Sequence, residues 1–358
     1  MRALLAGGGT AGHVNPLLAT AGELQRRDPS AQLAVLGTAA GLESRLVPAA
    51  GLDLITIPKA RLPRRPSAEW FSLPGGLAKA VRGARHAIEQ IDAEVVVGFG
   101  GYVAMPAYLA ARRAGVPIVV HEANFRPGLA NRFGARHAAV VAVALPGTPL
   151  PRARLTGLPL RPAIATLDRA AQRRPAAEAL GLDPERPILV ATGGSLGARR
   201  INQTVLATAP QLLADGVQIL HLTGADKAGE VRDGIVHGGY VVREYLDDMA
   251  LAYAAGDLLV ARAGAGTVCE IAAVGVASVL VPLPIGNGEQ ALNARGLVEV
   301  GGAIAVPDAQ FTPEWAAGHL PGLFADPTRL PTMASLASKV GIRDGAARLA
   351  DSIAEAIG

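Results

Sequence analysis

The first thirteen residues, MRALLAGGGTAGH, pass from a short apolar segment directly into three consecutive glycines. The apolar run Arg2–Ala6 is typical of a buried strand, and the glycines permit a tight turn into a following helix. The same rhythm continues along the chain, where short apolar runs alternate with longer helix-like stretches. This alternation favours parallel sheets that are covered by helices on both faces.

The predicted strands fall into two sets, separated near Gly157. The first set comprises Arg2–Ala6, Leu33–Leu36, Leu54–Ile57, Val95–Gly98, Ile118–His121 and Val140–Ala144. The second set comprises Ile188–Ala191, Gln218–Leu222, Leu258–Ala261, Val279–Val281 and Ile304–Val306. Because 358 residues are many for a single core, two sets predict two doubly wound, Rossmann-like α/β domains.

We expect the domain boundary near the prolines of Leu158–Pro162, which gives domains of residues 1–160 and 161–339. The closing segment Lys339–Gly358 is predicted to be a helix. The pattern alone does not say which domain this helix joins; our expectation is that residues 340–358 complete the first one.

Composition narrows the class of protein. Half of the residues are apolar and 18% are charged, which excludes a disordered chain. The single cysteine, Cys269, fits a reducing compartment, and no apolar stretch approaches the roughly 20 residues that span a bilayer. A net charge of +4 with 4% aromatic residues argues against a nucleic-acid partner. We expect a peripheral protein on the cytoplasmic face of the cell membrane.

Three glycine-rich loops follow predicted strands, at Gly7–His13, Gly98–Tyr102 and Thr192–Arg199. Glycines let backbone N–H groups approach an anion, and the next helix adds a favourable dipole. Tight turns alone would explain one such loop, whereas loops in both halves indicate a shared ligand. The second strand ends at Thr38 without the carboxylate of a dinucleotide site, so a nicotinamide-dependent oxidoreductase is disfavoured.

A fourth segment, Arg262–Glu270, allows two interpretations. The carboxylate of Glu270 could accept both hydroxyls of a ribose. Alternatively, Thr267 and Glu270 match the spacing of a helix capping box, which would explain both residues without a ligand. The residues alone leave both interpretations open.

Taken together and in order, six segments resemble the MurG family of cell-wall glycosyltransferases; they are Gly8–His13, Gly100–Tyr102, His121–Asn124, Gly193–Arg199, Arg262–Glu270 and Pro282–Gln290. The resemblance implies a GT-B fold, with two Rossmann-like domains facing an interdomain cleft. It implies inverting transfer of N-acetylglucosamine (GlcNAc) from UDP-GlcNAc to the C4 hydroxyl of N-acetylmuramic acid (MurNAc) in lipid I, which forms lipid II for peptidoglycan. The sequence has no paired Asp-x-Asp and no His/Cys grouping at ligand spacing, so we expect a site without a metal or cofactor. The alternatives are a related enzyme with a different lipid or natural-product acceptor, and a non-catalytic sensor of sugar nucleotides.

The resemblance also implies residue roles. Glu270 would hold the ribose hydroxyls, Ser195 a phosphate oxygen, and Gln290 and Asn124 the sugar. The full donor set is Thr10, Asn124, Arg161, Ser195, Arg262, Ala265, Thr267, Glu270, Glu289 and Gln290. The acceptor and phosphate loops would use Gly9, Gly12, Gly100, Gly101, Tyr102, Asn131 and Asn202. The sequence departs from the family pattern at Asn15, Leu196, Gly266 and Glu289, which puts the donor contacts in doubt; Glu289 also fits a role as a carboxylate at a helix N-terminus.

Inverting transfer needs a base for the acceptor hydroxyl, and two residues qualify. His13 is favoured because an ordinary histidine titrates near pH ~6.5 and is available as a neutral base. Glu122 is the rival. A structural histidine, or one that binds the acceptor pyrophosphate, is the alternative interpretation of His13.

A basic and aromatic segment predicts contact with the anionic inner leaflet of the membrane. Its residues are Trp70, Phe71, Leu77, Lys79, Arg82 and Arg85. Cations beside aromatic side chains suit an anionic lipid surface. The alternative is an ordinary solvated helix that packs its apolar side inward.

Overall fold

The computed structural model describes residues 1–59, 69–194, 197–232, 234, 238–284 and 288–358, without the side chains of residues 69–74 and 230. The chain divides into two compact units. Unit 1 comprises Met1–Arg161 with Arg343–Gly358, and unit 2 comprises Pro162–Ile342.

The strands are short, apolar and mostly buried. In chain order they are β1 Arg2–Gly7, β2 Gln32–Gly37, β3 Asp53–Thr56, β4 Val95–Gly100, β5 Ile118–Glu122, β6 Val140–Val143, β7 Ala153–Leu155, β8 Ile188–Thr192, β9 Gln218–Leu222, β10 Tyr240–Arg243, β11 Leu258–Ala261, β12 Ala277–Leu280 and β13 Ala303–Ala305.

The helices connect these strands. They are α1 Ala11–Arg27, α2 Glu43–Ala49, α3 Glu69–Gln90, α4 Ala104–Ala114, α5 Leu129–Gly134, α6 Pro162–Ala165, α7 Arg169–Leu180, α8 Arg199–Ala214, α9 Ala228–Arg232, α10 Met249–Ala255, α11 Ala265–Val274, α12 Glu289–Glu299, α13 Pro313–Ala325, α14 Arg329–Ser338 and α15 Gly345–Ile357. A 3₁₀ turn spans Asp308–Gln310. Side-chain caps begin several helices; Asp168, for example, accepts a hydrogen bond from Ala171 N at the start of α7.

Each unit contains one parallel sheet within the described residues. The order in unit 1 is β3-β2-β1-β4-β5-β6-β7, and the order in unit 2 is β10-β9-β8-β11-β12-β13. In both, the strand order reverses beside the first strand of the unit. This is the doubly wound architecture that the alternating sequence pattern predicts.

Helices cover both faces of the sheet in unit 1. Along β1, Leu4 and Ala6 belong to a core with α3 and α4, whereas Ala3 and Leu5 belong to a core with α1 and α15. Because successive side chains of a strand point to opposite faces, this division shows why β1 is apolar at every position from Ala3 to Ala6.

Three details differ from the sequence-based prediction. The edge strands β7 and β10 were not predicted. The closing helix begins at Gly345 rather than near residue 339, because α14 ends at Ser338 and Asp344 lies at the N-cap of α15.

Candidate active site

The candidate site of unit 1 lies at the reversal of strand order between β1 and β4. Gly7 at the end of β1 pairs with Gly100 at the end of β4. In doubly wound sheets, ligands bind beyond the carboxyl ends of the strands at this point, because the flanking connections leave a crevice there. The first and second glycine loops therefore lie where the fold is expected to receive a ligand.

These two loops approach each other through their backbones. A Cβ atom on Gly101 would lie 2.5 Å from the carbonyl oxygen of Gly8, and one on Gly100 would lie 3.0 Å from His13 Nε2. Both Gly100 and Gly101 have positive φ angles, of 100° and 81°. Glycine is required at both positions, because a side chain would be too close to the first loop and because other residues rarely adopt positive φ angles. The lack of a side chain also allows the second loop to lie against His13.

His13 lies in the first turn of α1 and is half-buried, while Thr10 at the N-cap and Gly12 are exposed. Its Nδ1 lies 3.1 Å from the carbonyl oxygen of Gly8 and 3.3 Å from Thr10 Oγ1. Since a carbonyl oxygen can only accept, the contact with Gly8 is a hydrogen bond in the tautomer that carries its proton on Nδ1. The neutral ring then has its acceptor lone pair on Nε2, the atom that faces Gly100.

Glu122 ends β5 and is only 3% exposed. Its Oε1 accepts a hydrogen bond from Asn124 N at 2.9 Å, and its Oε2 accepts from Gly128 N and from Asn131 Nδ2, both at 3.0 Å. Tyr108 in turn donates to Asn131 Oδ1 at 2.7 Å. Donors therefore occupy both carboxylate oxygens of Glu122, which fixes the loop that follows β5 and places Asn124 and Asn131 beside it.

His121, next to Glu122, is a buried structural histidine. Its Nε2 donates to the carbonyl oxygen of Gly157 at 3.1 Å, and burial lowers its pKa to about 4. It therefore stays neutral near pH 7. Tyr102, in the second glycine loop, is 40% exposed, unlike the buried His121. The ammonium group of Lys59 lies 4.7 Å from the centroid of its ring.

Unit 2 repeats the arrangement between β8 and β11, where Thr192 pairs with Ala261. The third glycine loop follows β8, and the Arg262–Glu270 segment follows β11. Ser195 and Leu196 lie outside the described residues. Helix α8 begins at Arg199, so its N-terminal N–H groups adjoin the third loop and provide a favourable environment for an anion.

The capping-box interpretation of Thr267 and Glu270 is wrong. Helix α11 begins at Ala265 with Gly264 as its N-cap, so Thr267 is already the third helical residue. Glu270, one turn further on, accepts a hydrogen bond from the Tyr253 hydroxyl at 2.7 Å. Cys269 beside it is half-buried, and burial and the neighbouring carboxylate raise the pKa of its thiol to about 12.

Arg262 is held by protein groups. Its Nη1 donates to the Val281 carbonyl oxygen at 3.0 Å and lies 2.6 Å from Asp308 Oδ1. Arg200 reaches the other oxygen of Asp308 at 3.2 Å. Arg262 thus links the end of β11 to the end of β12 and stabilises the loops that follow these two strands.

Asn202 is also held inside unit 2 and is 6% exposed. Its Nδ2 donates to the Thr223 carbonyl oxygen at 3.0 Å, and its Oδ1 accepts from His221 Nε2 at 3.1 Å. His221 Nδ1 accepts from the Tyr240 hydroxyl at 2.6 Å, and burial lowers the pKa of His221 to about 4. Asn202 therefore braces the loop after β9.

The remaining donor candidates lie at loop ends. Gln290 is the second residue of α12, and its Oε1 accepts from Leu283 N at 2.9 Å, which closes the segment before the helix. Glu289 is the first residue of α12, Ala265 is the first residue of α11, and Arg161 is half-buried at the end of unit 1. Residues 285–287 are outside the described part of the chain.

Helix α3 carries the predicted membrane-contact residues. It packs Ala80, Ala84 and Ala87 into the unit 1 core and leaves Lys79 and Arg82 exposed. Leu77 is half-buried, Arg85 pairs with Glu89 at 2.7 Å, and the side chains of Trp70 and Phe71 are outside the described set. Among the described residues, no helix is both long and apolar enough to cross a membrane.

One buried residue was not found from the sequence. Glu43, the first residue of α2, has no exposed surface and contacts the first glycine loop through Gly9. The available signal was a carboxylate just beyond the glycine-containing turn that follows β2. In the described parts of both units, no group of three or more His, Cys, Asp or Glu residues is arranged to hold a metal ion.

Two Rossmann-like units, each with a glycine turn at its switch point, are the architecture of the GT-B fold. Residues 3–143 match the glycosyltransferase family 28 N-terminal domain, and residues 188–349 match the family 28 C-terminal domain. The chain belongs to the MurG family of glycosyltransferases, and it is accordingly a hexosyltransferase.

Full-length relatives support this assignment. A protein of Clavibacter michiganensis is 56% identical over 99% of this chain and 96% of its own length, and one of Streptomyces avermitilis is 51% identical over 100% and 99%. Both are named UDP-N-acetylglucosamine–N-acetylmuramyl-(pentapeptide) pyrophosphoryl-undecaprenol N-acetylglucosamine transferase.

Solved structures agree in fold. The crystal structure of Acinetobacter baumannii MurG has a TM-score of 0.81 and 29% identity, with 99% of each chain covered. The calicheamicin glycosyltransferase CalG4, with a TM-score of 0.72, 17% identity and coverage of 100% and 98%, shares the fold alone.

Proposed function

We propose that this chain transfers GlcNAc from UDP-GlcNAc to the C4 hydroxyl of MurNAc in lipid I, with inversion at the sugar, to give lipid II and UDP. The observation that carries the proposal is full-length similarity, above 50% identity, to relatives named for this transfer. The glycine loops at both switch points would offer backbone N–H groups to the phosphates of these substrates.

Unit 2 is the proposed donor domain. Glu270 lies in the second turn of α11, the helix that follows β11, and its carboxylate would bind the ribose hydroxyls. The N-terminus of α8 and the adjoining third loop would hold the pyrophosphate, with Ser195 as a further donor. Gln290 is anchored through its Oε1, so its Nε2 group would meet a sugar hydroxyl.

His13 is the proposed base. As the C4 oxygen attacks the anomeric carbon, Nε2 takes the hydroxyl proton, and the bond to UDP breaks with its electron pair moving to the β-phosphate oxygen. The contact of Nδ1 with the Gly8 carbonyl supports this role, because it leaves Nε2 as the acceptor. Glu122 is less suited, because donors already engage both of its oxygens.

The reaction is proposed to need no metal or cofactor. Backbone N–H groups of the third loop and the dipole of α8 would stabilise the charge that develops on UDP. Full activity in excess chelator supports this part of the proposal, and loss of activity in chelator overturns it.

The partners that follow are UDP-GlcNAc, lipid I and the anionic inner leaflet of the cell membrane, with no nucleic acid. The exposed Lys79 and Arg82 on α3 support the membrane partner, since cations near such a surface are attracted to it. The proposed location is the cytoplasmic face of the membrane, with the protein bound peripherally.

The direct test supplies purified protein with UDP-[¹⁴C]GlcNAc and a short-chain lipid I analogue. A labelled disaccharide-lipid supports the donor, the acceptor and the reaction together. If UDP-GlcNAc binds but no product forms, the assignment of the donor stands and the acceptor is a molecule other than lipid I.

A further inference from the structure

We propose that Glu43 is a positioning residue that acts on His13 through the peptide group between Gly8 and Gly9. The proposal rests on the role of His13 as base in the proposed function. Glu43 is 30 residues from His13 in the sequence, and it reaches the histidine through one backbone unit.

The two ends of a single peptide group make the connection. The Gly9 N–H donates to Glu43 Oε2 at 2.8 Å, and the Gly8 carbonyl oxygen lies 3.1 Å from His13 Nδ1. The chain of contacts is therefore carboxylate, peptide N–H, peptide C=O and imidazole Nδ1–H. Each donor in this chain faces an acceptor, so all of the contacts are satisfied together.

Glu43 is held as a carboxylate even though its exposed fraction is 0%. Burial opposes its charge, but hydrogen bonds from Gly9 and Thr38 outweigh burial and lower its pKa below the ordinary value. Its Oε1 accepts from Thr38 N at 2.9 Å and from Thr38 Oγ1 at 2.7 Å. In the part of the chain that the structure describes, it forms no ion pair, so these donors carry its stabilisation.

The surrounding backbone leaves space for this carboxylate. A Cβ on Gly8 would lie 2.5 Å from Glu43 Oε1, and one on Gly41 would overlap the same carboxylate. A side chain at either position would displace it from Gly9. The first glycine loop thus contacts Glu43 through the N–H of Gly9 and His13 through the carbonyl oxygen of Gly8.

This arrangement has a chemical effect beyond holding a loop. An anion that accepts from a peptide N–H polarises the group and increases the negative charge on its carbonyl oxygen. The Gly8 carbonyl then binds the Nδ1–H of His13 more strongly, which keeps Nε2 unprotonated and stabilises the imidazolium after proton transfer. If Glu43 only held the loop in place, removing the charge of Glu43 would leave the tautomer of His13 unchanged.

The test compares Glu43→Gln with Glu94→Gln. Glu94 is the matched control, because its Oε2 accepts the Arg2 N–H at 2.7 Å at the opposite end of β1. We expect Glu43→Gln to lower kcat at least about tenfold, since a charge-assisted hydrogen bond is lost, with the KM for UDP-GlcNAc unchanged. Glu94→Gln should leave both values near those of the wild type.

Nitrogen NMR of the His13 ring, without substrates, gives an independent readout. The wild type should show protonated Nδ1 and unprotonated Nε2 at neutral pH, and Glu43→Gln should shift the population toward the other tautomer. Wild-type protein with the proton on Nε2 overturns the proposal even if the variant does not fold. A folded variant with reduced kcat and an unchanged tautomer overturns it as well.

The two proposals fail separately. If the wild type forms no lipid product, the proposed function fails, while the ring signals still test the link between Glu43 and His13. If the wild type forms product and Glu43→Gln matches it in kcat and tautomer, the positioning role fails and the proposed function stands.

Discussion

His13 and Glu122 are the two candidate bases, and they differ in the hydrogen bonds that they form within the protein. Replacing His13 with alanine removes the proposed proton acceptor, and we expect kcat to fall by about 10²–10⁴ with little change in the KM for UDP-GlcNAc. Steady-state kinetics with the lipid I analogue measure this. His137→Ala, which removes an exposed histidine of unit 1, is the control. Turnover of His13→Ala within about threefold of the wild type would remove the assignment.

Glu270 sets a prediction for donor affinity. If its carboxylate binds the ribose, Glu270→Gln should weaken UDP-GlcNAc binding roughly 10- to 100-fold, as expected when a hydrogen bond to a charged group is lost. The variant should also discriminate less between UDP-GlcNAc and its 2′-deoxyribose analogue. Calorimetric titration of both ligands tests this.

The control for Glu270 is Glu299→Gln, an exposed carboxylate of unit 2 that pairs with Arg295 at 2.6 Å. If Glu270→Gln weakens both ligands by the same factor, the carboxylate does not contact the ribose hydroxyl.

Local sequence patterns could not show which polar residues have their hydrogen bonds satisfied. The sequence places Glu122 after a strand, but its donors Gly128 and Asn131 reach it only once the following loop has folded. Glu43 was missed for the same reason, because its partner Gly9 is 34 residues away. The capping-box alternative for Thr267 fails for a local reason, because Gly264, three residues earlier, is the N-cap of the helix.

At the scale of elements, strands with a continuous apolar run were predictable and edge strands were not. The residues of β1, β4 and β8 are almost all buried, and all of them are apolar except Arg2 at the start of β1 and Thr192 at the end of β8. The edge strand β7 has three residues, all exposed, and it therefore carries no hydrophobic pattern. The edge strand β10 is four residues long and only partly buried.

Helix α3 gives a prediction of its own. Its buried alanines orient the helix, so Lys79 and Arg82 point away from the core. If these cations bind an anionic leaflet, Lys79→Gln with Arg82→Gln should weaken binding to phosphatidylglycerol vesicles by about 2 kcal/mol, roughly 30-fold. Sedimentation at low salt measures this affinity.

The comparison for α3 is Arg329→Gln, which removes an exposed cation at the start of α14 in unit 2. It should retain binding. Equal affinity of the α3 double variant and the wild type would mean that the helix is an ordinary solvated surface.

Across the whole molecule, two buried histidines predict how stability depends on pH. Burial lowers the pKa of His121 in unit 1 and of His221 in unit 2 from 6.5 to about 4. Between these values the unfolded chain binds more protons than the folded chain. The contribution of these histidines to the free energy of unfolding is therefore fully present above pH 6.5 and is lost as the pH falls toward 4. At pH 5 the loss is about 2 kcal/mol for each histidine.

Urea unfolding at pH 7.5, 6 and 5 tests this dependence. His221→Gln should show a shallower dependence on pH than the wild type, because one of the two titrating groups is gone. His86→Gln, at an exposed position of α3, should keep the wild-type slope. A free energy of unfolding that is equal at pH 7.5 and pH 5 would contradict the prediction.

Helix α15 belongs to unit 1, yet the ribosome synthesises it after all of unit 2. Its Leu349, Ala350 and Ile353 complete the core that contains Leu5 and Val97. Until α15 leaves the ribosome, the apolar face of unit 1 that it covers stays exposed, whereas the sequence of the contiguous unit 2 is already complete. We therefore expect unit 2 to be able to fold before unit 1 is complete, in contrast to the usual order in which the amino-terminal domain folds first.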